Sequence, residues 1–218
     1  MSYMDNIKDY HLDILKEVGN IGAGHAATAL SNLLNKHIDM QVPSVNVVSF
    51  QEISETLGGE DSVVAGIFLR VEGDAPGNMF FMLPVTEATT LVQQLTSDKS
   101  IDLASPPFPE MGLSALNEVG NILAGAYLSA LADFTSLNMQ PTPPDIAIDM
   151  SIAILSHGLI EISKTGDYAI VINTEIEEKD ERNFTNTTGH FFLLPDPESF
   201  EKIFESLGVH VDEQRNSK

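Results

Sequence analysis

The sequence contains no cysteine. That excludes disulfides, thiolate metal ligands and a cysteine nucleophile together, and it is compatible with a reducing cytoplasm. Basic residues are scarce as well. Against 11 Lys plus Arg stand 32 Asp plus Glu, a formal net charge of −21 over 218 residues. Nucleic acids and anionic lipid surfaces are held by Lys and Arg, so neither is expected as a partner. Taken alone, the charge calls for no reason beyond solubility. A long hydrophobic run is missing too. The most apolar stretch, Ile122 to Ala132, contains Gly125, Tyr127 and Ser129 and falls well short of the roughly 20 residues of a membrane helix. Met1 to His11 is polar and mixed in charge, without the basic and then apolar pattern of a leader. A soluble, cytoplasmic protein is expected, and the 43% of apolar residues suffices for a sizeable core.

What the sequence does contain is an internal repeat. Leu15-Lys16-Glu17-Val18-Gly19-Asn20-Ile21-Gly22-Ala23-Gly24 matches Leu116-Asn117-Glu118-Val119-Gly120-Asn121-Ile122-Leu123-Ala124-Gly125, 116 − 15 = 101 positions later. At the same offset Asp13 falls on Ser114, Leu30 on Leu131 and Pro43 on Pro144. Phe81-Met82-Leu83-Pro84 pairs with Phe192-Leu193-Leu194-Pro195 at 192 − 81 = 111, which places about ten extra residues in the second copy, in the polar stretch Glu177 to Gly189. The copies, about 1–98 and 109–208, meet at a short proline-rich link containing Ser105-Pro106-Pro107 and Pro109. A single fused domain, residues 1–218, with pseudo-two-fold symmetry is expected, and a fused pair favours a monomer.

Hydrophobic periodicity predicts a long helix over Asp9 to Asn35 and a twin over Pro109 to Leu137. Strands are predicted at Val45 to Phe50, Val63 to Val71 and Asn78 to Leu83, and again at Ile152 to Leu155, Leu159 to Ser163, Tyr168 to Ile176 and His190 to Leu194. Gly73-Asp74-Ala75-Pro76-Gly77 reads as a hairpin turn. Amphipathic helices over Thr86 to Leu95 and Pro197 to Leu207 close the two halves. The class is α+β: two long helices on an antiparallel sheet.

The long helices carry the chemistry. At about 100° per residue, Asp13, Glu17 and Asn20 share one narrow arc, with Gly24 and Ser31 on the same line. Ser114, Glu118 and Asn121 repeat the arrangement, with Gly125 on their line. The rest of each helix is apolar, so a buried helix with one polar stripe is expected. A polar stripe is ordinary on a partly exposed helix. This one recurs in both copies, however, and it uses Asn, a poor helix former. A carboxylate can pair with a cation, and an amide one turn away can both donate to and accept from a water.

Other candidates are weaker. Gly19 to Gly24 lacks the preceding strand and the Gly-Lys-Ser/Thr of a phosphate loop; Gly and Ala there are expected to let backbones approach closely. The six His residues show no metal-ligand spacing, and His25, on the apolar side, reads as a core histidine. Glu175, Glu177, Glu178, Asp180 and Glu181 read as a solvated loop without the Ca²⁺ pattern. No metal site and no Ser-His-Asp triad are expected.

The pattern Asp/Ser-x-x-x-Glu-x-x-Asn, then 22 residues and a Pro, occurs as Asp13, Glu17, Asn20, Pro43 and again as Ser114, Glu118, Asn121, Pro144. It resembles the signature of the CheC/CheX/FliY phosphatases of bacterial and archaeal chemotaxis, and the resemblance extends over nearly the whole chain. Two full motifs in a chain of this length resemble the CheC branch. CheX is shorter with one intact motif, and FliY adds a flagellar switch domain. The resemblance implies hydrolysis of the phosphoaspartate of the response regulator CheY. Asn20 and Asn121 would orient the attacking water, and Glu17 and Glu118 would pair with the regulator's active-site Lys. Asp13, Ser114, Pro43 and Pro144 would be supporting positions. No cofactor of the chain's own is implied, because the Mg²⁺ is carried by the substrate regulator. A second partner is implied, the receptor deamidase CheD, on a segment near Asp145 to Ser151 with Asp149 as a contact. An acidic surface suits a phosphate that arrives already held by another protein's Lys and Mg²⁺.

Two other readings compete. One is a non-catalytic adaptation module that binds and regulates CheD or sequesters the regulator; intact Glu and Asn in both copies speak against it. The other is a structural part of the flagellar switch, against which stands the lack of a C-terminal switch domain.

Overall fold

In the computed structural model of the chain, residues 7–49, 52, 53, 55, 57–59, 61–155, 168–179 and 184–208 are described. The element order is α1 (Asp9–Leu34), β1 (Ile38–Gln41), β2 (Val45–Ser49), β3 (Val63–Gly73), β4 (Gly77–Pro84), α2 (Val85–Thr96), α3 (Glu110–Thr135), β5 (Met139–Pro141), β6 (Asp145–Met150), β7 (Tyr168–Lys179), β8 (Phe184–Pro195) and α4 (Pro197–Ser206). The long helices α1 and α3 have 26 residues each and start 110 − 9 = 101 positions apart, the offset of the repeat. Gly19 to Gly24 lies inside α1 and forms no loop.

Among the described residues eight strands join one sheet in the order β1-β7-β8-β4-β3-β5, with β2 also on β7 and β6 also on β3, and each of these pairings is antiparallel. The two copies meet at the β4–β8 pairing, where Phe80 faces Phe192 and Phe81 faces Phe191. The sheet is apolar on both faces. Ile67, Leu69, Phe81, Ile172, Phe191 and Leu193 pack toward the helices, in one core with Leu15, Val18, Leu116, Leu123, Leu91 and Phe204. Val64, Phe80, Met82, Val171, Phe192 and Leu194 fill a second core with Ile53, Leu57, Ile154 and Leu155. A strand covered on both faces loses the polar/apolar alternation of a half-buried one, which is why Phe80-Phe81-Met82-Leu83 reads as a continuous apolar run.

Two expectations change. Residues 151–155 are helical, not a strand. Ser151 donates its N–H to the Ser62 carbonyl and its hydroxyl to the Gly59 carbonyl, and this ties the turn onto the second core. A four-residue apolar run cannot distinguish helix from strand by period. Leu159 to Ser163 lies outside the described residues. Glu175, Glu177 and Glu178 belong to β7, which pairs in register with β8 and buries Thr174 and Ile176, so they form a strand and not a loop; Asp180 and Glu181 lie outside the described residues. The strands β1, β5 and β6 had no separate expectation, and two of them have only 3 or 4 residues.

Two histidines are drawn into this fold. His11, in the first turn of α1, is 1% exposed. Its Nδ1 accepts the Lys8 N–H at 2.9 Å, which puts the ring proton on Nε2, a buried atom without a partner among the described residues. Burial, and then the Lys8 charge, hold its pKa below 6.5. His190 donates from Nδ1 to Asn173 Oδ1 at 2.8 Å, and burial lowers its pKa as well. Both groups therefore keep their neutral form to lower pH in the folded protein than in the unfolded chain, which binds protons from about 6.5 downward. Their contribution to stability is complete above pH 6.5 and is lost as the pH falls through and below that value. Thermal unfolding at pH 7.5 and 5.5 should show a lower Tm at the acid pH, and His11→Gln combined with His190→Gln should shrink that difference.

Candidate functional site

The two motif helices lie against each other and share the same face of the sheet. A methyl on Gly22 would come within 3.0 Å of the Tyr127 Cα and 3.3 Å of the Ala126 carbonyl oxygen, so this glycine lets α1 approach α3. Gly19 is packed against Val42, and Gly120 against Ile67 of β3. Close approach of two backbones is the expected use of the small residues from Gly19 to Gly24, and Gly22 is the glycine there that meets another helix's backbone. Tyr127 is fixed below the contact. Its ring lies 4.5 Å from Phe191, its hydroxyl is 3.0 Å from Thr174 Oγ1, and burial pushes its pKa up to about 12.

Packing on one sheet face covers only one side of each helix. The outer side of α1 is broader than a narrow stripe: Ile21 is 45% and Leu33 52% exposed, and Asp13, Glu17, Gly24, His25 and Thr28 face outward with them. His25 is thus a surface residue and not a core histidine. The core histidine is His11. On α3, Ser114, Glu118 and Asn121 are all exposed. Among the described residues no hydrogen bond or ion pair engages Glu17, Glu118 or Asn121. Each long helix therefore presents a carboxylate and an amide, one turn apart, outward and uncommitted, with the exception of Asn20.

Asn20 is half-buried, and its Oδ1 accepts the N–H of Val42 at 2.9 Å. Val42 is the residue before Pro43, which explains why a helix residue and a proline 23 positions later belong to one unit: the chain leaving β1 folds back over the middle of α1. The second copy lacks this bond for a covalent reason. The residue 101 positions after Val42 is Pro143, and proline has no N–H to donate. Asn121 is accordingly exposed and unbonded. Pro144 is buried where Pro43 is exposed. The Val42 main-chain donor leaves no trace in the residue pattern of the first copy, whereas the Val42 to Pro143 exchange is legible at the repeat offset.

Asp149 lies elsewhere. It is exposed on β6, opposite Val64 in the register, and its Oδ1 accepts the Met150 N–H at 2.7 Å. Together with Phe68, Arg70, Asn78, Phe80 and Ile154 it lines a cavity of about 610 Å³ over the second core, on the sheet face away from the motif helices. Among the described residues no group of three or more His, Asp or Glu could hold a metal, and no helix is long and apolar enough to cross a membrane. The candidate site is therefore an open protein surface on two helices, not a pocket.

Comparison with known proteins agrees with this geometry. The CheC-like family matches residues 11–47 and 111–148, the two motif helices with the strands that follow them. A curated relative, the CheY-P phosphatase CheC of Bacillus subtilis, is 46% identical over 211 residues, 97% of this chain and 100% of the relative. The putative CheY-P phosphatase CheC1 of Halobacterium salinarum is 22% identical over 95% of this chain and 100% of its own. Among solved structures, Thermotoga maritima FliY has the same fold at 17% identity, with a TM-score of 0.73 over 93% of this chain and 98% of that one. The middle domain of FliM from H. pylori follows at 12% identity and a TM-score of 0.62, over 92% of this chain and 99% of that one. With the full-length relative at nearly half identity and both motif segments matched, the chain belongs to the CheC-like family.

Proposed function

We propose that this chain is a phosphatase that hydrolyses the phosphoaspartate of the chemotaxis response regulator CheY. The observation that carries the reading is a Glu–Asn pair one turn apart on each of two paired helices, with Glu17, Glu118 and Asn121 exposed and uncommitted and Asn20 half-buried on the Val42 N–H. An acyl phosphate held by another protein already has a Lys and a Mg²⁺ around it. What it lacks for hydrolysis is an aligned water, and phosphoryl transfer depends mostly on positioning and charge. Glu17 or Glu118 pairs with the regulator's Lys and fixes the docked register. The neighbouring Asn accepts a hydrogen from the water, which leaves a water lone pair free for in-line attack on phosphorus. The P–O bond to the aspartyl oxygen breaks, the aspartate leaves as carboxylate, and inorganic phosphate forms. The Mg²⁺ is part of the substrate protein. The name of the Bacillus subtilis relative supports the same substrate.

The helices would not work equally. The Asn20 carbonyl already accepts from Val42, and giving up a hydrogen bond costs about 0.5–1.5 kcal/mol. Asn121 carries no such cost. The α3 site should therefore be the faster by up to about tenfold, and Asn121→Ala should lower the rate of phosphate release from phosphorylated CheY more than Asn20→Ala does. Equal losses would mean that the Val42 bond does not restrain Asn20 during catalysis.

CheD is the second proposed partner, at Asp145 to Ser151. Supporting this reading, Asp145 and Asp149 of β6 line the cavity on the sheet face away from the motif helices.

A further inference from the structure

We infer that Gly24 and Gly125 are docking notches, places where bare helix backbone admits the main chain of the phosphorylated regulator. The inference rests on the phosphatase reading and deepens it. Glycine inside a helix is destabilising relative to alanine, so each one needs a reason. In α1 and α3 the other four glycines have one inside the chain. A methyl on Gly19 would meet Val42 at 3.3 Å, on Gly22 Tyr127 at 3.0 Å, on Gly112 Ile101 at 3.2 Å and on Gly120 Ile67 at 2.4 Å. Gly24 and Gly125 are the exceptions, since a methyl on either would meet nothing within 4 Å. Neither has a positive φ, so no backbone strain demands glycine there. The two exceptions occupy the same position of the repeat, 24 − 20 = 4 and 125 − 121 = 4 residues after the motif asparagines.

That position lies one turn beyond Asn20 and Asn121, on the line that holds the carboxylates. Asn has a short side chain. To hold a water against a phosphorus atom embedded in another protein, that protein's surface must come close to the helix itself, and a side chain one turn away would prop it off. Ile21 points to the same occupant independently. It is an isoleucine beside Asn20, 45% exposed, an apolar surface suited to being covered by protein rather than by a small anion.

The test is Gly24→Ala, Gly125→Ala and their combination in the full chain, read by Tm, by steady-state dephosphorylation of CheY, and by binding to CheY loaded with Mg²⁺ and beryllofluoride. Each substitution should raise Tm by about 2–4 °C through helix propensity. The double variant should lose about tenfold or more in kcat/KM, mainly through KM, with matching loss of binding, because overpacked contacts are costly. A lower Tm would show a packing role inside the chain and overturn the inference. So would a higher Tm with unchanged binding, or a wild-type chain that does not bind the loaded CheY. If the wild type binds without turning over, the phosphatase reading fails, yet loss of that binding in the double variant still supports the notches.

Discussion

Replacing both Asn20 and Asn121 by alanine should slow phosphate release from phosphorylated CheY by roughly 10²–10³-fold, the usual cost of one positioned polar group at a reacting centre. The loss should fall on kcat and leave binding nearly intact, since on the proposed reading Glu17 and Glu118 would still dock the regulator. The double variant must also be shown to fold, and the two substitutions carry different stability signatures. Asn121 is exposed and unbonded, so Asn121→Ala should be neutral or stabilise by a few tenths of a kcal/mol through helix propensity. Asn20→Ala leaves the Val42 N–H without its acceptor, at a cost of about 1 kcal/mol. Urea unfolding alongside the kinetics separates these effects. A double variant that binds normally and still dephosphorylates at the wild-type rate would remove the water-orienting role.

The largest stability effect should come from Phe191→Ala. Phe191 is 1% exposed. Its ring lies 4.7 Å from that of Phe81 and 4.5 Å from that of Tyr127. It thus stands where the two copies pair across β4 and β8, directly beneath the contact between α1 and α3. Truncation leaves a cavity that these strands and helices cannot close, and such substitutions cost about 3–5 kcal/mol. For a domain of this size that corresponds to a Tm lower by about 6–20 °C. Phe191→Leu, which keeps most of the volume, should cost less than half as much. Denaturant unfolding measures both, and a loss under about 1 kcal/mol for the alanine variant would mean that the helices are not held by this cluster.

The sequence carried the helices and the motif positions because both rest on spacing. A 3.6-residue period runs through Asp9 to Leu34 and Glu110 to Thr135, and a repeat of Glu-x-x-Asn at one offset needs no tertiary knowledge. What stayed hidden was decided by partners. Whether Gly22 or Gly24 is packed cannot be told from two glycines two residues apart; it depends on where Tyr127 lies. His25 and His11 both sit among apolar neighbours in the sequence, and only the side on which the sheet covers α1 puts one out and the other in. Residues 151–155 have an apolar strand-like composition but are tied as a turn by the backbone of residues 59 and 62. The three-residue strand β5 is defined by its bonds to β3 rather than by any pattern of its own.

The fold by itself leaves function open, because FliY and the FliM middle domain have it too, and activity belongs to sites rather than to folds. On the proposed reading the distinction lies in the pairs Glu17–Asn20 and Glu118–Asn121, and the exchange of Val42 for Pro143 makes them unequal.

The most direct measurement is phosphate loss from phosphorylated CheY present in large excess over this chain. The phosphatase account predicts many turnovers per chain, with the rate falling in the order wild type, Asn20→Ala, Asn121→Ala, double variant. Stoichiometric binding without faster phosphate loss would contradict it and leave the chain a sequestering module.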